Sequence, residues 1–298
     1  MRTGESKGKK EVEVRWFHPV VKLYYDMPRI EEKLMIKALE EAGFKVEPIN
    51  VTKTPLHLSG MEDHIALVRA VSMFRSTYTA AVLEANGIKP INTSFTIMFS
   101  GDKVLTYSVL AANGIPIPKT IVTLNGESTE KAYAELGFPL VDKPPLGSWG
   151  RLVTLVRDWH EAKIVIEHRS MFNTPQMKVH IVQEYVKLPE NRDIRCFVVG
   201  DQCLGCIYRK PGKGEWRSNV ALGGKVEALK ECDEECELAI KAAKALKGEV
   251  ISIDIFESER GLIVNEVNGV PEFKGFMRAT GINVAEKIAE YVKVRSRK

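Results

Sequence analysis

The chain has 298 residues, 44% of them apolar and 28% charged, with a net charge of +4. That balance excludes wholesale disorder, and no apolar run reaches the ~20 residues a membrane-spanning helix needs. The excess Lys and Arg lie in KGKK and KVRSRK at the two ends with almost no aromatic residue among them, which fits solvated tails and argues against a nucleic-acid module.

Residues 1–19 read as a basic tail and lead-in without the apolar core of a secretory signal, and the expected compartment is the cytoplasm. From 20 to 97 strand-like and helix-like runs alternate. A strand VVKLYYD precedes the helix IEEKLMIKALEEAG, stopped by Gly43. Strands FKVEPINV and HIALVRAVS, a helix over 74–86 and a short strand IKPIN follow. This alternation predicts an α/β unit with an open parallel sheet, in the manner of a half Rossmann domain. No glycine fingerprint follows Tyr24, Tyr25 and Asp26, which argues against a dinucleotide.

A second pattern starts near Gly101: a helix DKVLTYSVLAANG, a Pro-punctuated link, a strand, the helix STEKAYAELG and the strand FPLVDKP. After PPLGSWGR come a strand LVTLV, the helix DWHEAKIVIEHRS and the strand KVHIVQEYV. A hairpin, DIRCFVVGDQCLGCIYRK, turns at Gly200 and Asp201, and a strand pair VISIDIFES and GLIVNEVN precedes a last helix, INVAEKIAEYVKVRS. Five cysteines include Cys203 and Cys206 in the hairpin and Cys232 and Cys236 at a helix start. Residues three apart on a regular strand face opposite sides, so this spacing argues against zinc and for buried reduced thiols.

The strand pair places Asp254 opposite Glu266, with Asn268 beyond. Carboxylates in an apolar layer need a shared cation or strong donors, and two carboxylates with an amide oxygen are hard ligands suited to Mg²⁺. Arg195, Arg209 and Arg217, with Asn219 near them, add a cationic wall, which together with the acids fits a phosphoryl group with its metal. The loop of Gly147, Ser148, Trp149, Gly150 and Arg151 can bend amide N–H groups over phosphate oxygens, and Lys103 and Lys143 bracket it. Gln183, Glu184, Tyr185 and Val186 end an apolar strand, as an adenine edge requires, and Asp193 is a candidate for ribose hydroxyls.

The ordered series GDK, DKPPLGSWGR, QEYV, RDIRCFVVGD, RSNVALGG, SIDIFES and NEVNGVPEF resembles the ATP-grasp superfamily in its RimK-like branch, and within it the LysX/ArgX ligases. The resemblance implies a pre-ATP-grasp domain over 20–97 and an ATP-grasp domain over 98–298. The latter would divide into a central lid subdomain about 118–185 and a C-terminal subdomain about 186–298. It further implies ATP and two Mg²⁺ ions, with Lys103 and Lys143 on the phosphates and residues 183–186 on adenine. Asp254, Glu266 and Asn268 would hold the metals, and Arg195, Arg209 and Asn219 would stabilise an acyl phosphate.

The implied reaction joins the amino group of α-aminoadipate or glutamate to the C-terminal glutamate of a small acidic carrier protein, the LysW type. The other expected partner is a further copy of the chain. Arg69, Ser72 and Arg75 are candidates for recognising the substrate carboxylate. Gly269, Val270 and Phe276 look closer to a glutamate-type than an aminoadipate-type pattern. Two alternatives share the nucleotide machinery: a glutamate ligase acting on a ribosomal protein or a coenzyme, and a nucleotide-binding regulator.

Overall fold

The computed structural model describes residues 19–147, 150–212 and 224–297. Strands β1 (Val20–Tyr25), β2 (Lys45–Asn50) and β3 (Ile65–Val68) form a parallel sheet in the order β2-β1-β3. Parallel neighbours need crossovers, and helix α1 (Ile30–Glu41) supplies the first of them. Helix α2 (Met73–Ala85) follows β3. The run IKPIN contributes only a single bridge, Ile91 to Leu67, because Pro90 has no N–H for a ladder.

Two helices follow where one was expected. Helix α3 (Ser94–Gly101) precedes α4 (Lys103–Ala112), with Asp102 ending the first and capping the second by accepting from the amides of Val104 and Leu105. The sequence SFTIMFSG is apolar nearly all round, so no period of 3.6 reveals it.

The next sheet is antiparallel, ordered β4-β7-β5-β6, with β4 (Thr120–Thr123), β5 (Leu140–Lys143), β6 (Thr154–Val156) and β7 (His180–Glu184). Helices α5 (Gly126–Leu136) and α6 (Trp159–Ser170) cover one face, where Tyr133, Leu140, Val156 and Val182 are buried together. On β5 the strand alternation puts Asp142 under those helices, against Tyr133 and His180, and Lys143 on the open side.

The third sheet runs β10-β9-β8-β11-β12 and comprises β8 (Asp193–Val199), β9 (Gln202–Lys210), β10 (Lys225–Leu229), β11 (Val250–Ser258) and β12 (Gly261–Asn268). Its two faces are both buried. Ile194, Cys196, Val198, Ile251 and Ile253 pack on helix α7 (Asp233–Ala245), whereas Phe197, Val199 and Val250 join α1 and the C-terminal helix α9 (Val284–Arg295) in a separate core. Helix α8 (Lys274–Thr280) and strand β10 were not expected from the sequence. The structure pairs Cys196 with Cys206 and Cys203 with Cys236 as disulfides and leaves Cys232 free. This corrects the expectation of reduced thiols. Its cause is a bulge: Phe197 pairs with Gly205 and Val198 with Cys203, so Leu204 is supernumerary and Cys203 returns to the face of Cys206.

One buried side chain ties the first domain to the third sheet. Asn92 donates to the carbonyls of Val250 (2.6 Å) and Gly269 (2.8 Å) and accepts from the amides of Glu249 (2.8 Å) and Val250 (3.1 Å). Removing it strands these backbone groups out of water, so Asn92→Ala should cost about 2–4 kcal/mol in chemical denaturation. A loss below ~1 kcal/mol would show that other groups carry the junction.

Candidate active site

Asp254 sits in mid-strand at the centre of the third sheet, opposite Arg195 on one side and Glu266 on the other. Its carboxylate is 1% exposed, and burial alone would push its pKa up. Arg195 and Arg209 outweigh burial and hold it below the usual carboxylate range. Arg195 makes a fork with Nε and Nη2 at 2.7 and 2.8 Å from the two oxygens, and Arg209 Nη2 adds a third contact at 2.8 Å. Arg209 in turn grips Asp193 at 2.8 and 2.6 Å. The result is a continuous chain Asp193–Arg209–Asp254–Arg195 across three strands. Burial would lower the Arg209 pKa, but the two acids raise it instead.

A second bulge shapes the other half. Asp254 pairs with Glu266 but Ile255 pairs with Val264, so Asn265 is the extra residue. Asn265 reaches Lys143, whose Nζ donates to Asn265 Oδ1 at 2.8 Å and to Gln183 Oε1 at 2.6 Å. Tyr107 OH lies 3.4 Å from the same ammonium and donates to the Asn265 carbonyl at 2.5 Å. Burial, reinforced by the nearby Lys103, pushes the Lys143 pKa down to about 7, with Glu266 pulling the other way. Lys103, in the first turn of α4, donates to the Gly147 carbonyl at 2.9 Å and lies 3.2 Å from Glu266. Neither Asn265 nor Tyr107 was singled out from the sequence. Asn265 is signalled only by the bulge, and Tyr107 resembles any buried helix aromatic.

Two cavities meet at Gly147, Arg209 and Glu266. The first lies between the second and third sheets. Val141, Val153, Leu188 and Phe256 give it apolar walls, Lys103 and Lys143 line it, and residues 184–186 form one edge. Apolar walls with strand-end backbone suit a purine, and the lysines suit a polyphosphate. Gln183 lines the same cavity, with its side-chain oxygen accepting from Lys143 at 2.6 Å and its nitrogen donating to Thr120 Oγ1 at 2.9 Å. Asp193 lines the cavity with its carboxylate engaged by Arg209. Gly150 is on the wall, and Arg151 follows exposed in the turn. Ser148, Trp149, Arg217 and Asn219 lie outside the described residues.

The second cavity runs from Arg195, Arg209, Glu266 and Asn268 towards Arg29 and Phe74 of the first domain, with Val270 and Glu272 of the segment after β12 also lining it. The side chains of the proposed substrate arginines are turned to other work. Arg69, 3% exposed, bonds Glu32 at 3.3 Å and the Pro271 carbonyl at 2.9 Å, and so fixes the segment after Asn268. Ser72 caps α2, and Arg75 is exposed beside Asp26 at 3.2 Å. From the first domain Arg29 lines this cavity, with its guanidinium paired to Glu32 at 2.7 Å.

Phe276 is core, packed 5.7 Å from the Phe197 ring. Gly269 is a packing necessity: a Cβ there would meet Ser100 Oγ at 2.3 Å and the Thr96 carbonyl at 3.3 Å. The glycine therefore allows the close approach of β12 to α3, and it also lines the second cavity. Val270 lines it as well.

Asp254, Glu266 and Asn268 project from neighbouring positions of one sheet face, and the terminal Nδ2 of Asn268 is buried without a partner. Amide nitrogen and oxygen exchange places by a flip, so the same position can offer an open oxygen. Two hard carboxylates and such an oxygen fit a Mg²⁺ ion.

Residues 100–292 match the RimK-like ATP-grasp domain and residues 21–99 the LysX pre-ATP-grasp domain. A glutamate–LysW ligase ArgX from Sulfurisphaera tokodaii is 50% identical over 277 residues, covering 92% of this chain and 98% of that protein. An alpha-aminoadipate–LysW ligase LysX from the same organism is 36% identical over 286 residues, covering 92% and 99%. The crystal structure of a RimK domain ATP-grasp protein from Sphaerobacter thermophilus superposes with a TM-score of 0.73 at 24% identity, covering 92% and 99%, and shares the fold. With its two domains matched in order and half its residues shared with such a ligase, the chain belongs to the RimK-like ATP-grasp family.

Proposed function

We propose that this chain is an ATP-dependent ligase that joins the α-amino group of glutamate or α-aminoadipate to the C-terminal glutamate side chain of a LysW-type carrier protein. The observation that carries this reading is the junction of the two cavities at Gly147, Arg209 and Glu266. A nucleotide in the first cavity would present its terminal phosphate there to a carboxylate entering from the second. The names of the similar ligases support the same pairing of amino acid and carrier, with the ArgX protein sharing 50% and the LysX protein 36% of residues.

The carrier carboxylate attacks the γ-phosphorus of ATP, a phosphorus–oxygen bond to ADP breaks, and an acyl phosphate forms. The amine then attacks the acyl carbon, loses a proton and expels inorganic phosphate, leaving an amide. Lys143 and Lys103 hold the phosphates. Arg195 and Arg209 face the reacting end and receive charge as it develops on the acyl oxygens, already oriented by Asp254 and Asp193 and so with little reorganisation. Asp254, Glu266 and Asn268 would hold two Mg²⁺ ions, which when bound neutralise phosphate charge and polarise the transferred group. No covalent enzyme nucleophile is required, and positioning carries the chemistry.

Lys143 gives a pH test. In the nucleotide-free fold its amine is neutral above about pH 7, whereas an unfolded lysine keeps its proton to ~10.4. The unfolded chain therefore binds more protons between those values. Stability contributed by the neutral amine is complete above the upper value and is lost as pH falls towards 7. Phosphates beside the amine favour the charged form, so ATP binding at about pH 8.5 should take up a proton. Calorimetry in buffers of different ionisation enthalpy should show this uptake in the native protein and its loss in Lys143→Met. Equal proton exchange in both proteins would remove Lys143 from the phosphates.

The ligation itself is tested by the mass added to a carrier ending in glutamate, with glutamate and α-aminoadipate in competition. One methylene is worth roughly 1–3 kcal/mol in a pocket, so both should be joined, glutamate in preference, within about two orders of magnitude in kcat/KM. Glu266→Gln should add no mass while keeping the native fold. An absence of any carrier-dependent product with either amino acid would refute the assignment.

A further inference from the structure

All five cysteines converge on the face of the third sheet that is turned away from Arg195 and Arg209. Cys196, Cys203 and Cys206 come from the β8–β9 hairpin, and Cys232 and Cys236 from the first turn of α7. Cys232 is the N-cap and Cys236 lies one turn on, so their side chains share the side facing the hairpin. The bulge at Leu204 delivers Cys203 to the same side, which regular strand alternation would not do. Two sets of sulfurs lie within 4.8 Å of one another, Cys196, Cys203 and Cys206 in one, Cys206, Cys232 and Cys236 in the other. Cys236 Sγ is 3.8 Å from Cys206 Sγ and 3.7 Å from Cys232 Sγ. Four sulfurs around one ion with bonds of about 2.3 Å stand about 3.8 Å apart, which the Cys206–Cys236 and Cys232–Cys236 separations match. Cys203 and Cys232 belong to different sets and close up only when the Cys203–Cys236 bridge opens.

We propose that Cys203, Cys206, Cys232 and Cys236, once their bridges are reduced, form a tetrathiolate site for a thiophilic divalent cation such as Zn²⁺. Reduction requires a dithiol. Each bridge gains two electrons and two protons, and the dithiol leaves as its own disulfide. The cation then replaces four thiol protons, which pass to solvent. Cys203, Cys232 and Cys236 are partly exposed and give the ion its entry, while Cys196 is fully buried on the hairpin and stands outside the ligand set. The site fastens α7 to the hairpin whose opposite face carries Arg195 and Arg209. It is distinct from the hard-ligand position at Asp254, because thiolates select soft and borderline metals.

Cys232 separates this proposal from a purely disulfide role, since it takes part in neither bridge. Cys232→Ser should also fold, because serine is a favoured N-cap residue. The experiment adds Co²⁺ to the full-length protein after anaerobic reduction by a dithiol and removal of the reductant, with free thiols counted by a thiol reagent. The expected result is thiolate-to-cobalt charge-transfer absorption that saturates at one ion per chain and vanishes when Zn²⁺ is added. Cys196→Ser should retain it. Cys232→Ser should weaken Co²⁺ binding by more than the roughly 10–100-fold that loss of an outer-shell partner costs. Absence of the charge-transfer band in reduced native protein overturns the proposal. So do bridges that resist the dithiol in the folded protein, and so does a Cys232→Ser variant that binds Co²⁺ as the native protein does.

Discussion

The burial of Asp254 is the constraint around which the site is built. A lone carboxylate at the centre of a sheet would either protonate or destabilise the fold by several kcal/mol. Here it is answered by two guanidinium groups, one of which is held by a further acid, Asp193. The chain Asp193–Arg209–Asp254–Arg195 thus closes its own charges, each member answering the burial of its neighbour. Removing one member of such a buried set leaves its partner uncompensated, which costs ~3–5 kcal/mol in comparable cases. The same locked geometry fixes both arginines in advance, which suits the role proposed for them at the acyl oxygens.

The second half of the site depends on a register error that the fold preserves. With Asn265 as an extra residue, β12 offers both Asn265 and Glu266 to the cleft, one to Lys143 and the other to Lys103. Lys143 thus spans from the second sheet to the third, and Lys103 ties α4 to the glycine loop through Gly147. Three separate pieces of the chain are held at one point by two lysines. Their amines sit close together in a buried place, which disfavours the charged form of Lys143, and polyanionic phosphate is suited to restore it.

Much of this was legible in the residues. Asp254, Glu266 and Asn268 stand out because acids and amides are misplaced in apolar strands, and Lys103 and Lys143 because they interrupt apolar runs. What the sequence hides follows from two bulges and one close contact. A strand period of two assigns Cys203 and Asn265 to the wrong faces, since each bulge shifts the phase by one residue. Gly269 looks like a choice about substrate, yet α3 lies against it, and α3 is invisible to helical periodicity. Arg69 and Arg29 have the same composition value in the sequence. Only the fold distinguishes the one that bonds Pro271 in the core from the one that lines the second cavity.

The central claim is that the carrier's carboxylate is the group activated in the joint cavity. The direct test is transfer of heavy oxygen. With the C-terminal side-chain carboxylate of the carrier labelled, an acyl phosphate requires one labelled oxygen to leave with the inorganic phosphate as the amide forms. Label recovered in phosphate from the carrier is the result this account predicts. Label that appears in phosphate only when the free amino acid's carboxylate carries it would contradict it.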